Sequence, residues 1–247
     1  MALKPKFSII TVTYNAAGVV GPTLQSVKAQ TYTNYEYLLI DGGSKDDTVG
    51  IAKASGISFA QIVSERDNGI YDAMNKGIAL ATGDYLCFLN AGDTFHSPDT
   101  LQVIVDAIAG EKELPHVLYG ETAEVDEARE FVRMRRHKAP KELNWRSFRW
   151  GMMVCHQAFY ARRDIAPVYD LRYRLSGDVD WCIKVMKRAT KLVNVNATVV
   201  DYLQNGLSLQ HHRASLKERF WIMSNHYGFL PTVVRHLWFV VRAAIRK

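Results

Sequence analysis

Cysteine is scarce in this sequence: three among 247 residues, at Cys87, Cys155 and Cys182. An odd number with no CxxC pair argues against a disulfide framework or a thiolate zinc site. Each cysteine sits among apolar residues, the setting of a small buried hydrophobe, and a reducing, cytoplasmic compartment is expected. Long hydrophobic runs are missing too. No apolar stretch reaches the ~18–20 residues needed to span a bilayer. The longest, near the end, is broken by Arg235, His236 and Arg242. Met1-Ala2-Leu3-Lys4-Pro5-Lys6 enters a strand-like segment without an apolar h-region, so no signal peptide is expected there. Lysine and arginine are sparse from Val12 to Gly120 and cluster in residues 129–141 and in the last third. The first half is therefore no nucleic-acid surface, and no nucleic-acid partner is expected. A GxGxxG fingerprint is also missing. The first strand-like run is followed by Thr13-Tyr14-Asn15-Ala16-Ala17-Gly18, which disfavours a dinucleotide-dependent dehydrogenase. Internal repeats and low-complexity segments are absent.

What is present is ordinary globular material. Hydrophobic residues make up 48% and charged residues 23%, enough for a sizeable core in one large α/β domain or one domain with an appendage. The formal charge of +6 suits an anionic partner of any kind, ligand, membrane surface or nucleic acid. Residues 7–13 are β-branched and apolar on both faces, as in a buried strand. A helical pattern covers 17–30, broken at Gly21-Pro22, so the helix is expected to begin at Pro22. Strands then follow at 35–40, 57–63 and 85–89, with helices at 46–54, 70–81 and 98–109. Four strand–helix alternations with short connections require a mostly parallel, Rossmann-like sheet with helices on both faces. Ligands in such sheets bind beyond the carboxyl ends of the strands. After Gly120 the alternation stops. Strands are expected at 117–119, 131–135, 157–161 and 192–202, a helix at 176–187, and helix again from 216 onward with a break at 228–231.

The strand exits carry the chemistry. Asp41 ends the second strand, where an acid in a doubly wound fold accepts hydrogen bonds from a ribose or base. Gly42-Gly43 behind it permits close backbone approach, and a plain turn in which Asp41 caps the next helix is the alternative. Leu89-Asn90-Ala91-Gly92-Asp93 leaves the fourth strand with one carboxylate. Ser176-Gly177-Asp178-Val179-Asp180 opens a helix, where the macrodipole favours carboxylates. Two residues apart on a helix diverge by about 200°, so Asp178 and Asp180 cannot both face one cleft. His156-Gln157 stands at a strand entry, where adjacent polar groups could hold a ligand. Trp145, Trp150 and Trp181 are candidates for stacking on a ligand ring, with core packing as the default.

Taken in order, SIITVTYNAA, QTYTNYEYLLIDGGSKDDT, SERDNGIYDAMNKGIALATGDYLCFLNAGD, HQAFYARR and GDVDWC resemble the family 2 glycosyltransferases of the GT-A fold, over residues 7 to about 202. The likeness is closest to transferases that build bacterial surface polysaccharides. It implies transfer of a sugar, with inversion, from a nucleotide-diphosphate donor, UDP-linked as first choice, to a glycan or lipid-linked saccharide. By this resemblance Thr11, Tyr14 and Asp41 line the nucleobase and ribose pocket, joined by Asp67. Lys76 runs beside the donor and could neutralise diphosphate charge. The family's acid–x–acid motif, which holds Mg²⁺ or Mn²⁺ on the donor diphosphate, is reduced here: Asp93 matches its last acid and Asn90 stands where an earlier acid is common. An amide oxygen brings no charge, so weaker metal affinity is expected. The resemblance makes Asp178 the general base, with Asp180 the second candidate, and Gly177 replaces the acid common at that place. It also strengthens His156 and Gln157 as substrate contacts. A histidine of the pair His211-His212 could complete a metal site. Asn90 and Gly177 leave open a catalytically silent, nucleotide-sugar-binding subunit.

The tail from 229 to 247 alternates Val233, Val234, Leu237, Trp238, Val240, Val241 and Ile245 with Arg235, Arg242, Arg246 and Lys247. It suits an interfacial helix on an anionic membrane or a helix docked on protein. The division expected is a transferase domain over 1–210 and a helical, membrane-associating segment over 211–247.

Overall fold

The structure, a computed structural model, describes residues 3–204 and 212–245. Its sheet is built around β1 (Phe7–Thr13), buried along its whole length. β1 pairs in parallel with β2 (Tyr35–Asp41) on one side and β4 (Tyr85–Phe88) on the other, and β3 (Gln61–Ser64) adds to β2. The connecting helices are α1 (Val20–Lys28), α2 (Thr48–Ala54) and α3 (Ile70–Leu80), followed by α4 (Thr100–Asp106). The order β3-β2-β1-β4 reverses direction at β1. A crevice therefore opens at the carboxyl ends of β1 and β4, the switch point at which such sheets bind ligands.

Beyond β4 the sheet becomes mixed. Short β5 (Thr94–Phe95) runs antiparallel to β9 (Leu192–Leu203), which lies parallel to β6 (Val117–Val125). β8 (Phe159–Arg162) is antiparallel to both β4 and β6, and β7 (Phe131–Met134) folds back on β6. α5 (Gly177–Arg188), α6 (His212–Tyr227) and α7 (Phe229–Ile245) complete the described α-helices, and short 3-10 turns lie at Trp145–Trp150, His156–Ala158 and Arg163–Ile165.

Several boundaries differ from the sequence pattern: the third strand starts later, at Gln61, and β6 runs on to Val125. Two of the differences have local reasons. Pro22 lies inside the first turn of α1 rather than before it, because a first-turn residue needs no N–H partner. The break in the C-terminal helix narrows to Gly228, at φ +90°, with Pro231 accommodated in the first turn of α7. The boundary expected between 210 and 211 falls outside the described residues.

Candidate active site

A cavity of about 1270 Å³ occupies the switch-point crevice. One wall comes from the loops after β1, β2 and β3, with Tyr14, Gly42 and Asp67; the floor from Asn90 and Asp93; the opposite wall from Asp178, His156 and Gln157. Tyr14, Asp67, Asn90, Asp93, Asp178, His156 and Gln157, separated by up to 164 positions from residue 14 to residue 178, thus face one space.

The wall expected to take a nucleoside differs from expectation at two residues. Thr11 is fully buried; its hydroxyl donates to the Leu89 carbonyl at 2.7 Å and lies 2.9 Å from the Tyr37 hydroxyl. It sits beneath the cavity, while Thr13 and Tyr14 reach the lining. The Asp41 carboxylate is also turned inward. It accepts from the Thr13 hydroxyl at 3.0 Å, the Ser64 hydroxyl at 2.7 Å, the Gly43 and Ser44 amides at 3.1 and 2.9 Å, and the Ser44 hydroxyl. Burial works to raise its pKa, and these donors outweigh burial and lower it. Asp41 therefore shapes the Gly42-Gly43 turn instead of standing free. The room beside Gly42 is taken by Asp67, whose carboxylate lies where a residue-42 side chain would begin. Asp67 also accepts from the Gly69 amide at 2.9 Å.

In LNAGD, Asp93 is almost wholly buried. Its two oxygens accept from the Gln157 side-chain amide at 2.8 Å and the Leu203 backbone amide at 3.0 Å. Burial pushes its pKa up to about 7, against the lowering effect of those donors and of the Arg129 guanidinium. Arg129 itself donates to the Gly92 carbonyl, so the β6–β7 turn pins this loop. Asn90 lines the cavity with a buried Oδ1 that has no hydrogen-bond partner. Orphaned buried acceptors are rare and call for a missing partner.

At the start of α5 the two acids separate as helical geometry requires. Asp178 lines the cavity and accepts from the Tyr71 hydroxyl at 3.3 Å. Asp180 points away, between Lys184 at 2.6 Å and His226 of α6 at 2.8 Å. Its pKa is lowered: burial opposes the shift, and His226 and Lys184 overcome it. Asp180 ties α5 to α6 and has no place at the cavity. The glycine at 177 also has a cause. A Cβ there would stand 2.9 Å from the Tyr71 ring, so the tyrosine occupies the volume that an acidic side chain would need.

His156 and Gln157 line the cavity with side chains that are otherwise buried. The His156 ring stacks on Phe88, with centroids 5.0 Å apart, and its Nε2 lies 2.6 Å from the Tyr169 hydroxyl. Burial drives its pKa down to about 4, partly offset by Asp178, so it is neutral at pH 7. Gln157 spends its amide on Asp93 and its oxygen on the Cys155 thiol at 3.0 Å. Lys76 lies outside the lining, paired with Glu65 at 2.8 Å and the Arg66 carbonyl at 3.2 Å. None of the three tryptophans lines the cavity. Trp181 is core, donating to the Pro167 carbonyl at 2.7 Å; Trp145 stacks on Tyr227; Trp150 is exposed on the surface.

Sequence reasoning missed Tyr71, Arg129, Arg174 and Arg219. Tyr71, Arg174 and Arg219 line the cavity, and Arg129 supports it. Tyr71 reads as an ordinary apolar helix residue, and the arginines as a solvated face, so no local signal marks them.

Among the described residues, no group of three or more His, Cys, Asp or Glu is placed to hold a metal ion. His211 lies outside those residues. The orphaned Asn90 Oδ1 beside the Asp93 carboxylate nonetheless fits the sparse oxygen set with which a protein shares Mg²⁺ or Mn²⁺ with substrate phosphates.

A family model described as "Glycosyl transferase family 2" matches residues 8–167. Similar proteins include the PGL/p-HBAD biosynthesis glycosyltransferase of Mycobacterium bovis BCG, 37% identical over 221 residues, with 82% of this chain and 78% of the relative covered. The amylovoran biosynthesis glycosyltransferase AmsB of Erwinia amylovora is 27% identical over 233 residues, covering 87% and 76%. Among solved structures, residues 1–349 of S. aureus TarS superpose with a TM-score of 0.68 at 17% identity, over 89% of this chain and 66% of that one. The same protein in complex with UDP-GlcNAc gives a TM-score of 0.67 at 16% identity, over 81% and 59%. This chain spans about two thirds or less of the TarS chains, and the likeness to them is one of fold. Family match, mycobacterial relative and a shared GT-A architecture agree, and the chain belongs to glycosyltransferase family 2.

Proposed function

We propose that the chain is an inverting glycosyltransferase that moves a sugar from a nucleotide-diphosphate donor, UDP-linked as first choice, to a glycan or lipid-linked saccharide in polysaccharide biosynthesis. One observation carries this reading: Asp178 and Asp93 face the same switch-point cavity whose far wall is made by Tyr14, Gly42 and Asp67. The names of the relatives, concerned with PGL/p-HBAD and amylovoran biosynthesis, and the UDP-GlcNAc complex of TarS support it.

In this reading Tyr14 and Asp67 contact the nucleoside, while Asp41 and Thr11 act from beneath by shaping the turns that do so. Asp178 takes the proton of the acceptor hydroxyl as its oxygen bonds to the anomeric carbon. The bond from that carbon to the diphosphate breaks on the opposite face, and its electron pair leaves on the phosphate oxygen. Tyr71 holds the Asp178 carboxylate in place. Gln157 orients Asp93, and neutral His156 supplies a fixed wall. Asp93 and Asn90 would hold Mg²⁺ or Mn²⁺, which when bound offsets the charge left on the nucleoside diphosphate. Residues 1–210 form the transferase domain, and the helical segment over 211–247 adds Arg219 to the cavity lining and serves the enzyme's location.

That location is the cytoplasmic face of a membrane. No helix among the described residues is long and apolar enough to cross one. On α7, however, Leu230, Val234, Leu237, Trp238 and Val241 are all exposed, at the spacing of one helical stripe. Such a stripe, on a segment whose sequence also carries Arg235, Arg242, Arg246 and Lys247, suits peripheral contact with anionic lipid.

The test is a transfer and donor-hydrolysis assay over a panel of nucleotide sugars and lipid-linked acceptors, with Asp178→Asn and Asp93→Ala checked for folding. Near-normal transfer by both variants refutes the assignment. Nucleotide binding by the wild type without any turnover would favour a silent binding subunit.

A further inference from the structure

We propose that Arg219, on α6, is a direct ligand of the donor's diphosphate, with Arg174 beside it. This rests on the nucleotide-donor reading above and deepens it. The need comes from LNAGD, which supplies one carboxylate and a neutral amide where a richer acid set would bind more cation charge. Lys76 cannot make up the difference, because it lies outside the lining and is paired with Glu65.

The cavity's own cations are Lys45, Arg66, Arg135, Arg174 and Arg219. Lys45 and Arg66 belong to the loops of the nucleoside wall. Arg135 is committed to the Met152 carbonyl at 2.7 Å. Arg174 and Arg219 remain, on the same side as Asp178. The Arg219 Nε is buried without a hydrogen-bond partner, and among the described residues the side chain has no ion-pair partner. Arg219 as a whole is only half-buried, but a buried Nε–H left without an acceptor is costly, and an anion in the cavity recovers that cost.

Arg219 is held in place by its neighbours on α6. The Glu218 carboxylate accepts the backbone amides of Arg174, Leu175 and Ser176 at 2.9, 2.8 and 2.9 Å. Ser215, one turn before Arg219 on the same helix face, lies 2.9 Å from the Ser176 hydroxyl. Farther along, His226 grips Asp180 at 2.8 Å. The helix is thus fastened at two points to α5 and to the strand of chain that leads into it. Arg174 is presented by the same clamp that holds Arg219. Two guanidinium forks on a fixed support match a doubly charged diphosphate better than a single carboxylate.

The experiment is calorimetric titration of the whole chain, as wild type, Arg219→Gln and Arg219→Lys, with UDP, GDP and dTDP and their nucleosides, in EDTA and in Mn²⁺. In EDTA, Arg219→Gln is expected to weaken nucleoside diphosphate binding roughly 10- to 100-fold, the scale of a hydrogen bond to a charged group. Nucleoside binding stays unchanged, and Arg219→Lys recovers part of the loss. Unaltered diphosphate binding by Arg219→Gln overturns the assignment. So does an equal loss for nucleoside and nucleoside diphosphate, which would make Arg219 a wall residue only. Unaltered diphosphate binding with a raised KM for a lipid-phosphate acceptor would move Arg219 to the acceptor's phosphate and also overturn it. If the wild type binds none of the three diphosphates, the donor reading falls first and takes this assignment with it.

Discussion

Asp93→Asn replaces the most deeply placed carboxylate of the cavity by an amide of the same shape. The ionised form of Asp93 is disfavoured in the fold, because burial lifts its pKa from 3.8 to about 7. That difference corresponds to about 4 kcal/mol against the charged state. Between those two values the native chain binds more protons at this site than the unfolded chain, so stability falls as pH rises. The contribution of the neutral form is complete below about pH 4, is lost on the way to about pH 7, and stays lost above it. The amide abolishes this slope. It also sets its own NH₂ against the Gln157 NH₂, unless Gln157 turns over and gives up its contact with the Cys155 thiol. That mismatch costs about 1–2 kcal/mol. The net expectation is that Asp93→Asn is more stable than wild type by about 2–3 kcal/mol at pH 8. That is roughly 4–12 °C in Tm for a chain of this size, with the advantage vanishing at about pH 5 and reversing below it, where only the amide mismatch remains. Thermal denaturation of both proteins at several pH values in EDTA reads this directly. Parallel Tm curves would refute the claim that a buried charge is stored here for function. Transfer activity of the stabilised variant should meanwhile collapse.

Three further outcomes are expected. Gly177→Ala drives a methyl group into the Tyr71 ring at 2.9 Å and should cost about 1–3 kcal/mol in denaturant unfolding. In a Tyr71→Ala background the same change should cost little, and additivity of the two would refute the contact. Asn90→Asp restores a charge beside Asp93 and should tighten Mn²⁺ binding by calorimetry, roughly tenfold or more, the scale on which ligand charge tunes such sites. Asp180→Asn should lower Tm at pH 7, because it removes the partner of His226 and Lys184. Because the Asp180 pKa is depressed in the fold, the stability it contributes is present at neutral pH and disappears as pH falls through the acid range, so the deficit should close there.

The alternation of buried strands and amphipathic helices over the first 109 residues is legible in the sequence. Its periodicities are local, and β1, β2 and β4 are largely apolar on both faces. From that alternation follow the parallel sheet and the strand exits at which ligands gather. The motifs named the residues that meet at the cavity, Tyr14, Asp67, Asn90, Asp93 and Asp178 among them. The divergence of Asp178 and Asp180 needed only the pitch of a helix. Side-chain direction at the strand exits was decided elsewhere. Thr11 and Asp41 turn inward because Tyr37, Ser44 and Ser64, brought in by other parts of the chain, offer them partners. Lys76 is lost to the cavity because Glu65 captures it. Gly177 stands in place of an acid because Tyr71, 106 positions earlier, fills that volume. Arg219 reaches the cavity only because Glu218 and His226 dock α6 against α5. Local pattern determines which elements form and which ends they present. Which charges are spent on neighbours and which remain free for a ligand depends on contacts between residues far apart in the chain, and only the packed fold supplies those.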